Sequence, residues 1–593
     1  MENMAKQRIA GLRKLMKEAG IDYYIVPTAD FHGSEYVGGY FKMRSFLSGF
    51  TGSAGTLVVS EREACLWTDG RYFTQAQAQL EGSGIVLYRM GEEGVPDIWE
   101  YLEKNAGKRQ IIGFDGQVMD AEFGKKLEQR YQLSYEKDVA APLWQDRPPL
   151  SATAVWTLSA ERCGMSVAEK LKAVREKMEE QGAAHLLISK LDDIMWLYNI
   201  RANDVDCNPV ALSYTLVSKD SAVLFIQSRA LTDETAGYFA QNHITVKEYS
   251  SLGAYLESCE IKGRIWYSGK DVNYFLYKCI EKRGELIDRE NPTELLKAVK
   301  TPEELESIRK YYLLDSVVLT KFLFWVKENA GREPMDELGL ARRLDRMRSE
   351  IDGFLDLSFE TISAYKSNAA MAHYSANGEH SAKITADGFY LVDSGGQYMG
   401  ATTDVTRTIA LGSITDEMRL HFTKVACAML RLADTKFLYG CTGRNLDIIA
   451  REPLWQCGLD YKHGTGHGIG YVLNVHEGPH SLRWQYKPES RETVLEEGMI
   501  VSDEPGMYVQ GSHGIRTENI VEVVKEQKNE YGQFMGFRHL TYVPIDLDAI
   551  DIGSMEPSDI ERLNAYHKAV REKLSPYFEG EELERLKNVT RAV

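Results

Sequence analysis

Residues 389–408 read FYLVDSGGQYMGATTDVTRT. An apolar run, Tyr390-Leu391-Val392, leads into Asp393, a glycine-containing turn follows, and a second arm rich in β-branched residues begins beside Asp404. That pattern predicts a hairpin over 389–411, with a turn at GGQYMG and one aspartate on each arm. A carboxylate at the end of a buried strand needs a partner. Further along lie HGTGHGIG (463–470), VHEG (475–478), SDEPGMY (502–508) and GIRTENI (514–520). Five side chains stand out across this stretch: Asp393, Asp404, His467, Glu504 and Glu518. Four carboxylates gathered in one pocket would resist ionising together. Two divalent cations would turn that repulsion into binding, so the stretch predicts a two-metal hydrolytic site. Oxygen donors with one imidazole and no thiolate suit Mn²⁺ or Mg²⁺ and tolerate Co²⁺ or Zn²⁺.

Gly464, Gly466 and Gly468 make a helix unfavourable around His463 and His467, so a loop or strand passing close to a neighbour is expected. Ile469 and Tyr471 occupy positions that a dinucleotide fingerprint would need as glycine, no P-loop GK[ST] occurs, and GFTGSAG (49–55) is a glycine-rich turn. Downstream of the hairpin the sequence predicts helices over 416–438 and 443–457, then strands to about 545, then a charged helix pair over 556–593.

Upstream, the chain repeats itself. The helix-then-strand pattern of residues 1–30 recurs at 168–193. Met16 aligns with Met178, Gly20 with Gly182, and Tyr23–Val26 with His185–Ile188, at a constant offset of 162. FLSGFTG (46–52) resembles WLYNIRA (196–202) at an offset of 150, so the first copy carries about twelve extra residues near 31–45. This is a domain duplication. Linker-like stretches lie at 141–156 and 291–310; in the second, Thr301-Pro302-Glu303-Glu304 forms a capping box that opens a long helix. A second helix is expected at about 335–350, and FETISAYKSNAAMAHYSA (359–376) alternates as strands do. The reading is an α/β (α+β) chain: an N-terminal α/β module over 1–150, a second of similar fold over 151–300, and a catalytic domain over 301–593 whose extension begins near 540.

With 593 residues, 44% hydrophobic and 26% charged, the composition is that of a globular protein of two to four domains. A net charge of −17 disfavours nucleic acid and anionic lipid as partners. The N-terminal residues lack the apolar core of a secretory signal and read as an amphipathic helix, and no membrane span is expected. Eight cysteines without a C-x-x-C pair read as free thiols in a reducing cytoplasm.

The ordered set D-x₁₀-D, H in a glycine-rich strand, E-P-G and R-x-E resembles the pita-bread metallopeptidases, the family of methionine aminopeptidase, prolidase and Xaa-Pro aminopeptidase. RSFLSGFTGSAGTLVV (44–59), WTDGRYFTQA (67–76), VHEGP, EPGMY, GIRTEN and the terminal FRHLTYVPID…LNAYHKAVREKLSP bring the resemblance closest to three-domain cytosolic Xaa-Pro aminopeptidases. The resemblance covers nearly the whole chain. It implies a pita-bread catalytic domain with Asp393, Asp404, His467, Glu504 and Glu518 as ligands to two metal ions, Mn²⁺ by implication. Glu504 is implied as the general base, His463 and His373 as stabilisers of the oxyanion, and His476 as a substrate contact on the leaving side. The implied substrate is a peptide with N-terminal X-Pro, the implied assembly a homodimer, and the implied location the cytoplasm. A prolidase-type X-Pro dipeptidase shares the metal set, but the duplicated modules and tail argue against it. A non-catalytic binding protein or a metal-free creatinase-like hydrolase would have lost ligands that are all present here. Arg71 reads as a salt-bridged surface arginine, with a site role across a dimer as the sharper alternative.

Overall fold

The computed structural model describes residues 4–372, 374–376, 378, 381–485 and 492–593. The chain folds into two compact units, one of residues 1–160 with 165–294, the other of 161–164 with 295–593.

The first unit holds two six-stranded sheets. One is built from Tyr23–Pro27, Thr56–Ser60, Ala64–Thr68, Val86–Arg89, Ile111–Phe114 and Gln132–Ser134, the other from His185–Ile188, Ser213–Ser218, Ala222–Ile226, Thr245–Glu248, Ile265–Tyr267 and Leu286–Asp288. With strands numbered separately within each copy, both sheets have the spatial order 4-3-2-1-5-6. In both, the first strand runs antiparallel to the second and parallel to the fifth. The FLSGFTG/WLYNIRA match has a structural counterpart. The helices Met43–Ser48 and Leu191–Tyr198 each end in a left-handed residue, Gly49 (φ 78°) and Asn199 (φ 51°), the two residue types that tolerate this cap.

The extra residues of the first copy have a defined place. His32 lies fully buried, its ring nitrogens 2.9 Å from the Ser189 carbonyl oxygen and 2.8 Å from the Tyr249 hydroxyl of the second copy. Burial holds this imidazole below its ordinary pKa, although Asp30 acts in the opposite direction. Arg71 pairs with both oxygens of Asp69 at 2.8 Å and approaches Glu35 at 3.6 Å, the salt-bridged arrangement of its plainer reading.

In the second unit, helix Pro302–Asn329 begins at the expected capping box, with Glu304 N donating to Thr301 Oγ1 and Thr301 N to Glu304 Oε2. Its Leu319, Phe322 and Val326 pack with Tyr390, Val392 and Ile409 of a three-stranded antiparallel sheet made of Ile362–Tyr365, Phe389–Ser394 and Val405–Ala410. A six-stranded sheet has the order Phe437–Leu438, Gly532–His539, Asn519–Asn529, Ile500–Asp503, Gly466–Gly468, Glu477–Leu482. Helices Asp416–Ala433, Gly443–Trp455 and Pro557–Leu574 pack with it through a core that includes Val425, Met429, Leu446, Leu454, Val521 and Leu563. No helix among the described residues is long and apolar enough to cross a membrane.

Two local expectations are corrected. Among the described residues of 359–376 only Ile362–Tyr365 form a strand; Lys366 takes a left-handed φ of 52° and the chain coils into a 3₁₀ turn over Lys366–Ala370. The turn at 395–400 is a further excursion, in which Gly396–Tyr398 and Ala401–Thr402 pair with each other and join Phe354–Leu357 in a separate sheet. Gln397 anchors it, accepting from Thr402 Oγ1 at 2.8 Å and donating to the Leu473 carbonyl at 2.8 Å.

Candidate metal centre

The hairpin register pairs Asp393 with Thr406 and Ser394 with Val405, which leaves Asp404 just outside the ladder. Two backbone bonds fix the neighbouring segments: Glu518 N donates to the Thr406 carbonyl of the hairpin at 3.1 Å, and Glu504 N to the Thr465 carbonyl, two residues before His467, at 2.8 Å. His467 lies in the Gly466–Gly468 strand, squeezed between neighbours; a Cβ on Gly466 would lie 1.8 Å from the Ser502 carbonyl oxygen. Glycine therefore lets the His467 strand close onto the strand Ile500–Asp503, which ends just before Glu504. The pattern in GIRTENI is broken at Thr517–Glu518, between strands His513–Arg516 and Asn519–Asn529, and the break aims Glu518 inward.

As a result, donor atoms of Asp404, His467 and Glu518 lie within 4.8 Å of one another. His467 Nε2 is 3.6 Å from Asp404 Oδ2 and 3.4 Å from Glu504 Oε1. Its Nδ1 is 2.9 Å from the Gly468 carbonyl oxygen. That oxygen only accepts, so Nδ1 donates to it, and Nε2 is the ring nitrogen that faces the carboxylates and would ligate a metal.

Asp393 is turned toward a residue to which the sequence assigned no role. Arg516 donates to Asp393 Oδ2, to Thr406 Oγ1 at 3.1 Å and to the Tyr508 hydroxyl at 2.8 Å. Thr406 Oγ1 in turn donates to Glu518 Oε2 at 2.7 Å. His463 joins this network: its Nδ1 faces the Gly464 carbonyl at 2.7 Å, and its Nε2 is 3.0 Å from the Tyr508 hydroxyl. The His476 ring stands edge-on to His467 with centroids 4.4 Å apart. His373 lies outside the described residues. The R-x-E spacing at 516–518 was the available signal for Arg516; Tyr508, in EPGMY, carried none beyond the motif.

The electrostatics suit cations. Burial, then Glu518, Asp393 and Glu504, drive the Asp404 carboxyl well above the ordinary range. Burial likewise raises Glu518, reinforced by Glu504 and Asp393. Burial pushes Glu504 up to about 7 against the opposing pull of Arg516. His463 is driven down to about 3 by burial and by Arg516, so it is neutral at physiological pH. Asp393 Oδ1 and Glu518 Oε1 are buried without a hydrogen-bond partner among the described residues. Crowded carboxylates with unengaged oxygens and an imidazole whose Nε2 faces them fit a pair of hard divalent ions.

Comparison with known proteins agrees along the whole chain. The model for metallopeptidase family M24 matches residues 306–525, that for the C-terminal region of peptidase M24 matches 533–593, and two models of the creatinase/prolidase N-terminal domain match 8–147 and 146–304. Aminopeptidase P1 of Arabidopsis thaliana is 34% identical, with 99% of each chain covered. A probable Xaa-Pro aminopeptidase P of Chaetomium globosum is 37% identical over 97% of each. Among solved structures, X-prolyl aminopeptidase from Caenorhabditis elegans, described as a cytosolic enzyme with a di-nuclear active site, superposes with a TM-score of 0.94 at 31% identity, covering 99% of this chain and 100% of that one. An Xaa-Pro dipeptidase from Bacillus anthracis shares the fold over 64% of this chain, with a TM-score of 0.52 at 24% identity. The chain belongs to metallopeptidase family M24 and, within it, to the aminopeptidase P group.

Proposed function

We propose that this protein is a metal-dependent aminopeptidase that releases the first residue from peptides with proline second. The observation that carries the reading is the convergence of Asp404, His467 and Glu518 donors within 4.8 Å, in a chain matched end to end by Xaa-Pro aminopeptidases. Asp393, Asp404, His467, Glu504 and Glu518 would hold two divalent ions, Mn²⁺ by preference, which supply Lewis acidity toward the scissile carbonyl and acidify the attacking water.

The protein's own groups do the rest. Glu504, with a carboxyl near 7 before any ion binds, takes the proton from that water and returns it to the leaving nitrogen. An X-Pro bond is a tertiary amide without N–H, so the site needs no acceptor for one, but the proline nitrogen must still receive a proton to leave. Arg516 fixes the orientation of Asp393, and neutral His463 orders Tyr508 beside Arg516. His373, His463 and His476 are assigned to orienting the peptide and its developing oxyanion. A peptide series differing only at position two tests the specificity. Cleavage under Mn²⁺ should fall at least tenfold from X-Pro-Y to X-Ala-Y, and equal rates would refute it. An X-Pro dipeptide should turn over more slowly than X-Pro-Y; the reverse would make the enzyme a dipeptidase.

The proposed domain division is 1–150, 151–300 and 301–593. A cytoplasmic location is supported by the cytosolic description of the C. elegans enzyme. A homodimer is supported by an exposed aromatic pair: Trp455 (39% exposed) and Trp484 (38%) stand edge to face with centroids 5.7 Å apart. Trp455→Glu should convert the dimer to a monomer in sedimentation velocity at micromolar concentration, and an unchanged sedimentation coefficient would count against this face.

A further inference from the structure

Glu477, in VHEG, takes no part in the ligand set, yet it is almost fully buried and flanked by two buried lysines. Lys297 Nζ donates to Glu477 Oε2 at 2.9 Å and Lys300 Nζ to Oε1. Lys297, Lys300 and Glu477 are only 3%, 4% and 4% exposed. The second lysine is itself fixed at both ends. Its Nζ donates to the Lys297 carbonyl at 3.0 Å and its backbone N–H to the Gly498 carbonyl at 3.1 Å. Burial works against the Glu477 charge, and the two ammonium groups more than offset it, so the carboxyl lies below its ordinary range.

Lysine and glutamate are almost never buried this deeply unless paired, and a buried ion pair adds little net stability over apolar residues of the same volume. The position of this triad suggests a role for it. Glu477 directly follows His476 and opens the strand Glu477–Leu482, which pairs with the strand carrying His467. Gly468 stands opposite Glu477, and a Cβ there would lie 2.3 Å from the Glu477 carbonyl oxygen. The Glu477 backbone therefore rests directly on the His467 strand, and the rings of His476 and His467 meet at 4.4 Å.

We propose that Glu477, clamped between Lys297 and Lys300, is a positioning residue that sets His476 against the metal-binding edge of the site. The clamp ties the segment before the long helix of the catalytic unit to the strand beside His467, so the His476 ring has one place to stand. The inference rests on the reading of His476 as a substrate-facing group.

The test compares Lys300→Met and Glu477→Gln in the wild-type and His476→Ala backgrounds, assayed as full-length Mn²⁺-loaded enzyme on one X-Pro-Y tripeptide. In the wild-type background kcat should fall at least tenfold with KM within threefold. In the His476→Ala background the same changes should cost less than twofold. Full, multiplicative losses in both backgrounds would overturn the proposal, since a merely structural role does not depend on His476. Where a single change leaves a buried charge and spoils folding, Lys297→Met/Glu477→Met/Lys300→Met removes all three charges at similar volume. That variant should fold and still lose kcat, and wild-type kcat from it, where His476→Ala itself lowers kcat, would refute the clamp. A crystal structure of the triple variant should show the His476–His467 centroid separation moved from 4.4 Å, and an unmoved ring would equally refute it. If His476→Ala alone leaves kcat unchanged while the ring moves in the triple variant, the clamp stands and the role of His476 in turnover fails.

Discussion

Glu504→Gln should reduce kcat on an X-Pro-Y tripeptide by about 10²–10⁴-fold, the usual worth of a positioned general base, with KM within a few fold. The substitution keeps size and one donor oxygen, and it removes the group that accepts a proton. The position of Glu504 makes the loss specific. Its Oε1 lies 3.4 Å from His467 Nε2 and 3.2 Å from the Ser502 hydroxyl, which donates to it, while the Ser502 oxygen accepts the His467 N–H at 3.0 Å. The carboxylate is thus held from the protein side by Ser502, and glutamine can keep that bond. Because Glu504 is also assigned as a ligand, bound Mn²⁺ should be measured by equilibrium dialysis on the same sample. Retained ions with lost kcat assign the defect to proton transfer. A variant with near-normal kcat would remove Glu504 from the role of base.

The second large effect is on stability. In the metal-free protein the Glu504 carboxyl is raised from an ordinary 4.5 to about 7, with Asp404 and Glu518 displaced in the same direction. A raised carboxyl binds its proton more tightly in the folded than in the unfolded chain. Its favourable contribution is therefore complete below about pH 4.5 and is lost as pH rises to about 7, a loss for Glu504 alone of about 3 kcal/mol. Bound cations replace the protons and reverse the trend. The difference in Tm between Mn²⁺-loaded and chelator-treated protein should accordingly widen from pH 5 to pH 7.5, on top of the ordinary mass-action gain from a bound ligand. Calorimetry on the paired samples reads it directly, and a difference that stayed flat or narrowed with pH would contradict the crowding of carboxylates on which the site is argued.

The candidate ligands were legible in the sequence. Asp393, Asp404, His467, Glu504 and Glu518 could be picked out because ligand types in a fixed order, each beside an apolar run or glycines, are rare. Arg516 was not legible in the same way. An arginine in a strand usually reads as a surface residue, and only the hairpin that pairs Gly506 with Arg516 brings its guanidinium to Asp393 and Tyr508. Glu477 and its lysines were invisible for a similar reason, since the partners lie about 180 positions apart and no local pattern encodes the pairing. The excursion between the hairpin arms was missed because strands of two or three residues are too short to show an alternation. The 3₁₀ turn after Tyr365 depends on Lys366 in a left-handed conformation, which lysine sequences do not announce.

The joint between the two duplicated sheets is lopsided. The copy with the extra residues supplies the buried His32, and the copy without them receives it with the Ser189 carbonyl, the Tyr249 hydroxyl and the ring of Tyr214, 4.3 Å from the imidazole between centroids. The repeats are therefore neither interchangeable nor separable. A tandem of two second copies would have two receptors and no plug, and a fragment cut at the repeat boundary would leave a buried histidine and its tyrosine facing water.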